Sequence, residues 1–316
     1  MDFYFAPMEG ITGHIYRRAF HAYFPAPEKY FTPFISPDSN KILRDKEKRD
    51  ILPENNEGMQ VVPQIITNRA DYFLMTAEHL KEKYGYKEVN LNLGCPSGTV
   101  VAKGKGSGFL SHLEELESFL EEVFEKCTVE VSVKTRIGRH DPVEWEDIFA
   151  VYQKFPIKEL TVHPRIQKEF YKGTVHMDAF EHAYTQWQGK LCYNGDIFTK
   201  ENFETLVEHF PKLENVMLGR GLLSDPYLVA RLKGAELPPE NERRKQLRSF
   251  HDRLFSEYKE VLSGDRNLLF KMKEFWFYLL ESFEDNEKPG KKMRKCEKLS
   301  EYQSIVEELF SGYGLK

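Results

Sequence analysis

Short apolar runs recur at nearly even intervals along the first two thirds of the chain. They occupy residues 3–6, 30–34, 61–66, 88–92, 130–134, 159–162, 191–193 and 215–218, each of strand length. Between most of them, apolar residues return every three or four positions, which predicts helices over 70–84 and 113–126. In the second of these, Leu113, Leu116, Phe119, Leu120, Val123 and Phe124 share one face. Eight strand–helix units in about 230 residues predict a TIM (β/α)8 barrel. A doubly wound sheet is the competing arrangement, but it gathers its binding signals at one switch point. Here polar and glycine-containing signals follow nearly every strand, as they do around a barrel mouth.

The pattern changes near residue 233. Lys233-Gly234-Ala235-Glu236-Leu237-Pro238-Pro239-Glu240-Asn241 reads as a linker, and beyond it only helical periodicity remains, over 242–262, 266–283 and 297–310. The division expected is therefore a barrel domain at 1–233 and a small all-α helical bundle at 234–316.

Composition adds boundaries. A hydrophobic share of 41% and a charged share of 30% describe an ordinary globular chain with enough apolar residues for a core. The four cysteines, Cys95, Cys127, Cys192 and Cys296, are scattered without a C-x-x-C pair, which argues against zinc and thioredoxin-like chemistry. With no signal-peptide pattern and no apolar run of membrane-spanning length, the expected setting is the cytoplasm. The net charge of −5 speaks against a general nucleic-acid coat, yet residues 288–295 carry five cations and no anion.

The most informative stretch is Asn90-Leu91-Asn92-Leu93-Gly94-Cys95-Pro96-Ser97. Val89, Leu91 and Leu93 alternate with Asn90 and Asn92 until Gly94 and Pro96 break the strand. One thiol is thus placed on a sharp turn at a strand tip, with its direction restricted by Pro96. A small buried hydrophobe in a turn is the plain alternative. The other strands end in polar groups as well. These are Ala6-Pro7-Met8, Gln64, Lys134-Thr135-Arg136, His163-Pro164-Arg165, Asn194-Gly195-Asp196 and Gly219-Arg220-Gly221. In a barrel all these tips lie on one face. The glycine turns after the last two strands suit a phosphate, and Arg220 adds a charged donor. Lys134 at an inward tip calls for a negative partner, either a nearby carboxylate or an anionic cofactor.

These elements resemble the flavin-dependent dihydrouridine synthases. The likeness runs through Ala6-Pro7-Met8, Gln64, Asn92-Leu93-Gly94-Cys95-Pro96, the loop 100–110, Lys134-Thr135-Arg136, His163-Pro164-Arg165, Asn194-Gly195-Asp196 and Gly219-Arg220-Gly221, and is looser in the tail. It implies an FMN-binding TIM barrel with a helical RNA-binding domain. It further implies NADPH as reductant and reduction of uridine to 5,6-dihydrouridine in RNA, usually tRNA, by a monomer. Cys95 is then the proton donor to C5. Pro7, Met8, Gln64, Lys134 and His163 meet the flavin ring, and Asn194, Gly195, Asp196, Gly219 and Arg220 line its phosphate end. Asn92, Arg136 and Arg165 fall to the substrate, while Lys103 and Lys105 on a mobile flap, with Lys271, Lys273, Lys291, Lys292 and Lys295, fall to RNA phosphates. Two departures from the family pattern stand out: Pro164 replaces a glycine, and the basic–His–aromatic run of the tail is only approximated by Lys271-Met272-Lys273-Glu274-Phe275-Trp276. Two rivals remain at this stage: a flavoenzyme acting on a free pyrimidine-type molecule, and a non-catalytic RNA-binding protein. Ribosomal RNA is the alternative polymer.

Overall fold

The structure is a computed structural model that describes all 316 residues. Nine strands form one parallel sheet: β1 (Asp2–Phe5), β2 (Lys29–Phe31), β3 (Val61–Val62), β4 (Gln64–Ile65), β5 (Glu88–Leu93), β6 (Glu130–Gly138), β7 (Glu159–Ile166), β8 (Lys190–Tyr193) and β9 (Asn215–Leu218). Their order is β3-β2-β1-β9-β8-β7-β6-β5-β4. The two outermost members, β3 and β4, adjoin each other in the chain and are separated by Pro63 alone. Proline has no N–H to give the ladder, but its carbonyl still accepts the N–H of Asn90 at 2.9 Å. The sheet therefore closes through Pro63 into a barrel of eight staves.

Alternation along the strands sorts the side chains. Phe3, Phe5, Val89, Leu91, Leu93, Val131, Val133, Leu160 and Val162 point outward and join the core beneath the helices. Only Tyr4, Ala6, Phe31, Val62, Cys192 and Met217 make an apolar patch inside the barrel, separate from that core. The rest of the interior is polar. Asn92 Nδ2 donates to Gln64 Oε1 at 2.6 Å, and Gln64 Nε2 donates to Asn90 Oδ1 at 2.8 Å. Asn90 Nδ2 donates to Ser132 Oγ at 3.0 Å, which in turn donates to Glu88 Oε1 at 2.8 Å. At the floor the Lys29 ammonium lies between Glu88 and Glu159, at 3.6 and 3.5 Å. Most of these buried polar groups are thus met by another, which removes most of the cost of burying them, while Glu159 Oε1 and Thr161 Oγ1 have no hydrogen-bond partner.

Two strands outrun their apolar signal. β6 and β7 continue past Lys134 and Val162 to Gly138 and Ile166. The register shifts between Arg136 and Gly138, opposite Pro164. Proline is tolerated in a strand at such an irregularity, so Pro164 lies within β7 and not in a turn.

Beyond the barrel, helices occupy Glu240–Val261, Asp265–Leu279, Glu287–Lys295 and Leu299–Gly312. The third was absent from the sequence reading because Pro289-Gly290 look like breakers. Pro289 sits in the first helical turn, where a missing N–H costs nothing. The tail packs on the barrel through aromatic rings: Tyr16 meets Phe250 edge-on at 5.4 Å and Phe275 at 5.3 Å. One contiguous cluster of buried side chains includes Phe5 of β1 and Trp276 of the tail, so the bundle extends the barrel's core. No helix is long and apolar enough to cross a membrane.

Candidate functional site

The C-terminal strand ends surround a cavity of about 850 Å³ that Cys95, Lys134 and His163 all line. Pro7, Met8, Gln64, Asn92, Arg136, Asn194, Gly195, Asp196, Gly219 and Arg220 share it. The helix Asp265–Leu279 closes one side with Phe270, Lys273, Glu274, Phe277 and Tyr278.

Cys95 is held by its backbone. Asn92 Oδ1 accepts the N–H of Gly94 at 3.0 Å and that of Cys95 at 2.9 Å. Ser107 Oγ donates to the Cys95 carbonyl at 2.8 Å. The loop expected to be a mobile flap is instead packed beneath this turn. Residues Gly106–Ser111 form a short 3-10 helix in which Gly106, Ser107, Gly108, Phe109 and Leu110 are buried. A Cβ on Gly106 would come 2.9 Å from the Cys95 carbonyl oxygen, and the φ of +57° there suits glycine alone. Gly106 thus serves close packing against Cys95 and Gly108 against Val101, while Lys103 is exposed and Lys105 half-buried on the loop's outer edge. Burial pushes the Cys95 thiol above its ordinary pKa, with Glu9 adding to the effect and Ser97, Arg136 and Lys134 opposing it. The group is therefore a protonated thiol at neutral pH.

Lys134 Nζ has no hydrogen-bond or ion-pair partner among the protein's groups, although the side chain reaches into the cavity. Burial, then the neighbouring Arg136 charge, lowers its pKa to about 8. His163 stands beside it. Burial, reinforced by Arg136, Lys134, Arg165 and Arg220, drives its pKa well below the usual histidine value. The ring is neutral, and Arg165 Nη1 donates to its Nε2 at 3.3 Å, which leaves the ring proton on Nδ1.

Asp196 gathers two arginines. Its carboxylate accepts from Arg220 Nη2 at 2.5 Å and pairs with Arg165. Burial alone would raise this carboxyl, but the two guanidinium groups outweigh it and hold the pKa below the ordinary range. The N–H groups of Gly195 and Gly219 donate to no acceptor in the protein, while that of Asp196 turns on its own carboxylate. They lie at the strand tips β8 and β9 beside Arg220, whose guanidinium is already paired with Asp196.

Several expected substrate contacts are committed elsewhere. Arg136 donates from Nε to the Gly94 carbonyl at 3.0 Å, from Nη1 to Ile166 at 2.9 Å and from Nη2 to Phe170 at 2.6 Å. Arg165 is fully buried and also donates to the carbonyls of Lys172 and Gly173. Both arginines brace loops of the mouth, and Arg165 has every N–H group committed to the protein. Asn92 spends its amide on Gln64 and on the Cys95 turn. Lys271 Nζ donates to the Gly10 carbonyl at 2.8 Å and to Glu274, tying tail to barrel. Lys273 Nζ caps the helix Glu287–Lys295 through the carbonyls of Arg294 and Cys296. Lys292 pairs with Glu308, whereas Lys291 and Lys295 are exposed without an ion-pair partner.

The sequence reading missed Gln167, whose Nε2 donates to the Pro96 carbonyl at 3.0 Å. The period-two rule, carried past Pro164, places His163, Arg165 and Gln167 on one side and was the available signal. It also missed the aromatic rim, whose members come from three segments far apart in the chain.

Fold and mouth together define a (β/α)8-barrel protein with a polar interior and a helical annex forming one wall of its cavity. The chain belongs to the dihydrouridine synthase family: the family profile described as "Dihydrouridine synthase (Dus)" matches residues 4–311. It is 29% identical over 272 residues to the "Probable tRNA-dihydrouridine synthase" of Staphylococcus aureus (strain COL), spanning 82% of this chain and 78% of the relative. It is 26% identical over 226 residues to "tRNA-dihydrouridine synthase B" of Pasteurella multocida (strain Pm70), spanning 71% and 67%. Among solved structures, the old yellow enzyme from Trypanosoma cruzi shares the fold, with a TM-score of 0.52 at 9% identity over 76% of this chain and 90% of that one.

Proposed function

We propose that this protein reduces the C5=C6 bond of uridines in RNA, transfer RNA foremost, to 5,6-dihydrouridine, with FMN as its bound flavin and NADPH as reductant. The observation that carries the reading is the placement of a protonated thiol, Cys95, and an unpartnered ammonium, Lys134, on one cavity. An isolated buried ammonium is unfavourable and calls for an anion. The free N–H groups of Gly195 and Gly219, with the Arg220 charge beside them, fit the phosphate of the same cofactor.

A reduced flavin bound there supplies hydride to C6 of the uracil. The chain's own part is the second half of the addition. Saturating C6 leaves an enolate over C4 and C5, which must take up a proton at C5. Cys95 provides it, because burial keeps the thiol protonated until that moment. Asn92 and Ser107 fix the turn that aims the sulfur. Lys134 would hold a bound flavin through its positive charge, and the remaining hydrogen-bonding capacity of Gln64 would help to orient it. His163, neutral, offers its Nδ1–H without adding a further charge. The backbone at Pro7 and Met8, which lines the cavity, would bound the ring system.

In this reading residues 1–233 perform the chemistry and residues 234–316 hold the RNA. Lys103, Lys105, Lys291 and Lys295 are the cations left free for phosphates. A tail helix that walls the cavity favours a polymeric substrate over a free pyrimidine, which needs no such wall. The purified chain should carry a yellow flavin and, with NADPH, add two hydrogens to individual uridines of unmodified transfer RNA. A chain unable to take up flavin, or one that reduces free uridine and leaves RNA untouched, overturns the reading.

A further inference from the structure

Five aromatic rings of this chain are exposed: Phe170, Tyr171, Phe198, Phe270 and Phe277. All five line the one cavity that holds Cys95. The other aromatic side chains are at least partly buried, so exposed rings are confined to this mouth. Two of them, Phe270 and Phe277, belong to the tail helix Asp265–Leu279, whose opposite face (Leu268, Met272, Phe275, Trp276) is buried in the core. Phe277 is 69% exposed and Phe270 51%. Seven residues separate them, two helical turns or about 10 Å along the axis on the same side.

Nothing in the fold needs these rings outside. They do not pack the bundle, and leaving a phenyl group in water forgoes the gain of burying it. Cations accompany them. The Arg266 guanidinium lies 5.5 Å from the Phe270 ring centre, and that of Arg220 lies 4.7 Å from Tyr171 and 5.4 Å from Phe198. Apolar flat faces interleaved with guanidinium groups match a ligand that is itself flat-faced and negatively charged. Single-stranded nucleic acid has that chemistry: bases stack on aromatic rings while phosphates meet the cations.

We infer that Phe270 and Phe277 are stacking platforms for the unpaired bases that flank the reacting uridine. This rests on RNA being the substrate of the cavity. A uridine drawn into the barrel must leave its stack, and its neighbours then lose a partner. The tail rings replace that partner at the rim, while the reacting base itself lies deeper, beside Cys95. Recognition of this kind is tolerant of base identity, since every base has a π face.

The test uses the full chain and a single-stranded oligouridine carrying one 2-aminopurine. Binding should quench the 2-aminopurine fluorescence. Phe277→Ala and Phe270→Ala should each weaken binding roughly tenfold or more, as expected for loss of one stacked base. Phe277→Trp should restore both affinity and quenching. The dependence of affinity on salt should keep its slope in all variants, because stacking neutralises no phosphate. Alanine variants that bind as tightly as the parent overturn the inference. So does a weakened affinity that comes with a shallower salt slope, or an effect of the variants on self-association alone. Dihydrouridine formation assayed in parallel separates the two readings. RNA binding with quenching but no product sinks the catalytic proposal and leaves the platforms standing. Product formation with indifferent alanine variants does the reverse.

Discussion

The side-chain oxygen of Asn92 accepts the backbone N–H of Cys95 at 2.9 Å, so the end of β5 is folded back on the residue that carries the thiol. The same oxygen takes the Gly94 N–H at 3.0 Å, while the amide nitrogen reaches Gln64. Asn92→Ala leaves two N–H groups without an acceptor. The expected cost is about 1–2 kcal/mol of stability by chemical denaturation. Dihydrouridine formation should fall further than flavin binding does. Equal losses in the two would place Asn92 in the cofactor site and not in the positioning of Cys95.

A second clamp acts on the same turn from the far side. Gln167 holds the Pro96 carbonyl, and Arg136 joins the carbonyls of Gly94 and Phe170. Phe170 sits at φ +52°, a conformation that bulky residues rarely adopt. Gln167→Ala should slow product formation while NADPH still reduces the flavin at its normal rate. Phe170→Gly should release the strain and raise stability by about 1 kcal/mol, after allowing for glycine's entropy. It should also slow turnover. A destabilised glycine variant would mean that the backbone is at ease there.

On the proposed reading, Lys134 should make flavin affinity depend on pH. Its pKa is about 8, and an anionic partner raises it. Below pH 8 the ammonium is already formed and affinity should be level. Above pH 8 binding must take up a proton, so affinity should fall about tenfold per unit until the bound-state pKa is reached. Titration calorimetry across pH 6–10 in two buffers measures that proton directly. Lys134→Met should bind flavin weakly and lose this dependence. A parent protein with a flat profile has no Lys134–anion contact.

Lys291 and Lys295 are exposed on the helix Glu287–Lys295, and Lys292 adds a charge shared with Glu308. Replacing all three by Ala should reduce the salt slope of transfer RNA binding by about 2, the share of the two or three phosphates they would neutralise. An unaltered slope moves the electrostatic surface away from this helix.

The barrel was legible in the sequence because its outward positions are apolar and its strands are short and evenly spaced. The helices at Ala70–Tyr84 and Leu113–Lys126 appear at the predicted bounds, since their stripes are unbroken. The extensions of β6 and β7 were hidden because the apolar signal stops where the side chains turn toward the cavity. That Cys95, Lys134 and His163 share one cavity was legible because a strand tip in a barrel has one destination. Most partners of Arg136, Arg165, Lys271 and Lys273 were not, because they are backbone carbonyls of other segments, joined by the carboxylates of Asp196 and Glu274. A sequence shows a cation but not the carbonyl it meets. The loop 100–110 misled for a related reason: Gly106 and Gly108 mark close packing against Cys95 and Val101, and flexible loops use the same residue.

The most direct measurement concerns the thiol itself. Full-length Cys95→Ala, loaded with flavin and reduced by NADPH, is mixed with unmodified transfer RNA, and dihydrouridine is followed by mass spectrometry. The account predicts that flavin binding and reduction survive, while product formation falls by roughly 10²–10⁴, the usual worth of a positioned acid. Product at the parent's rate from the alanine protein would contradict it.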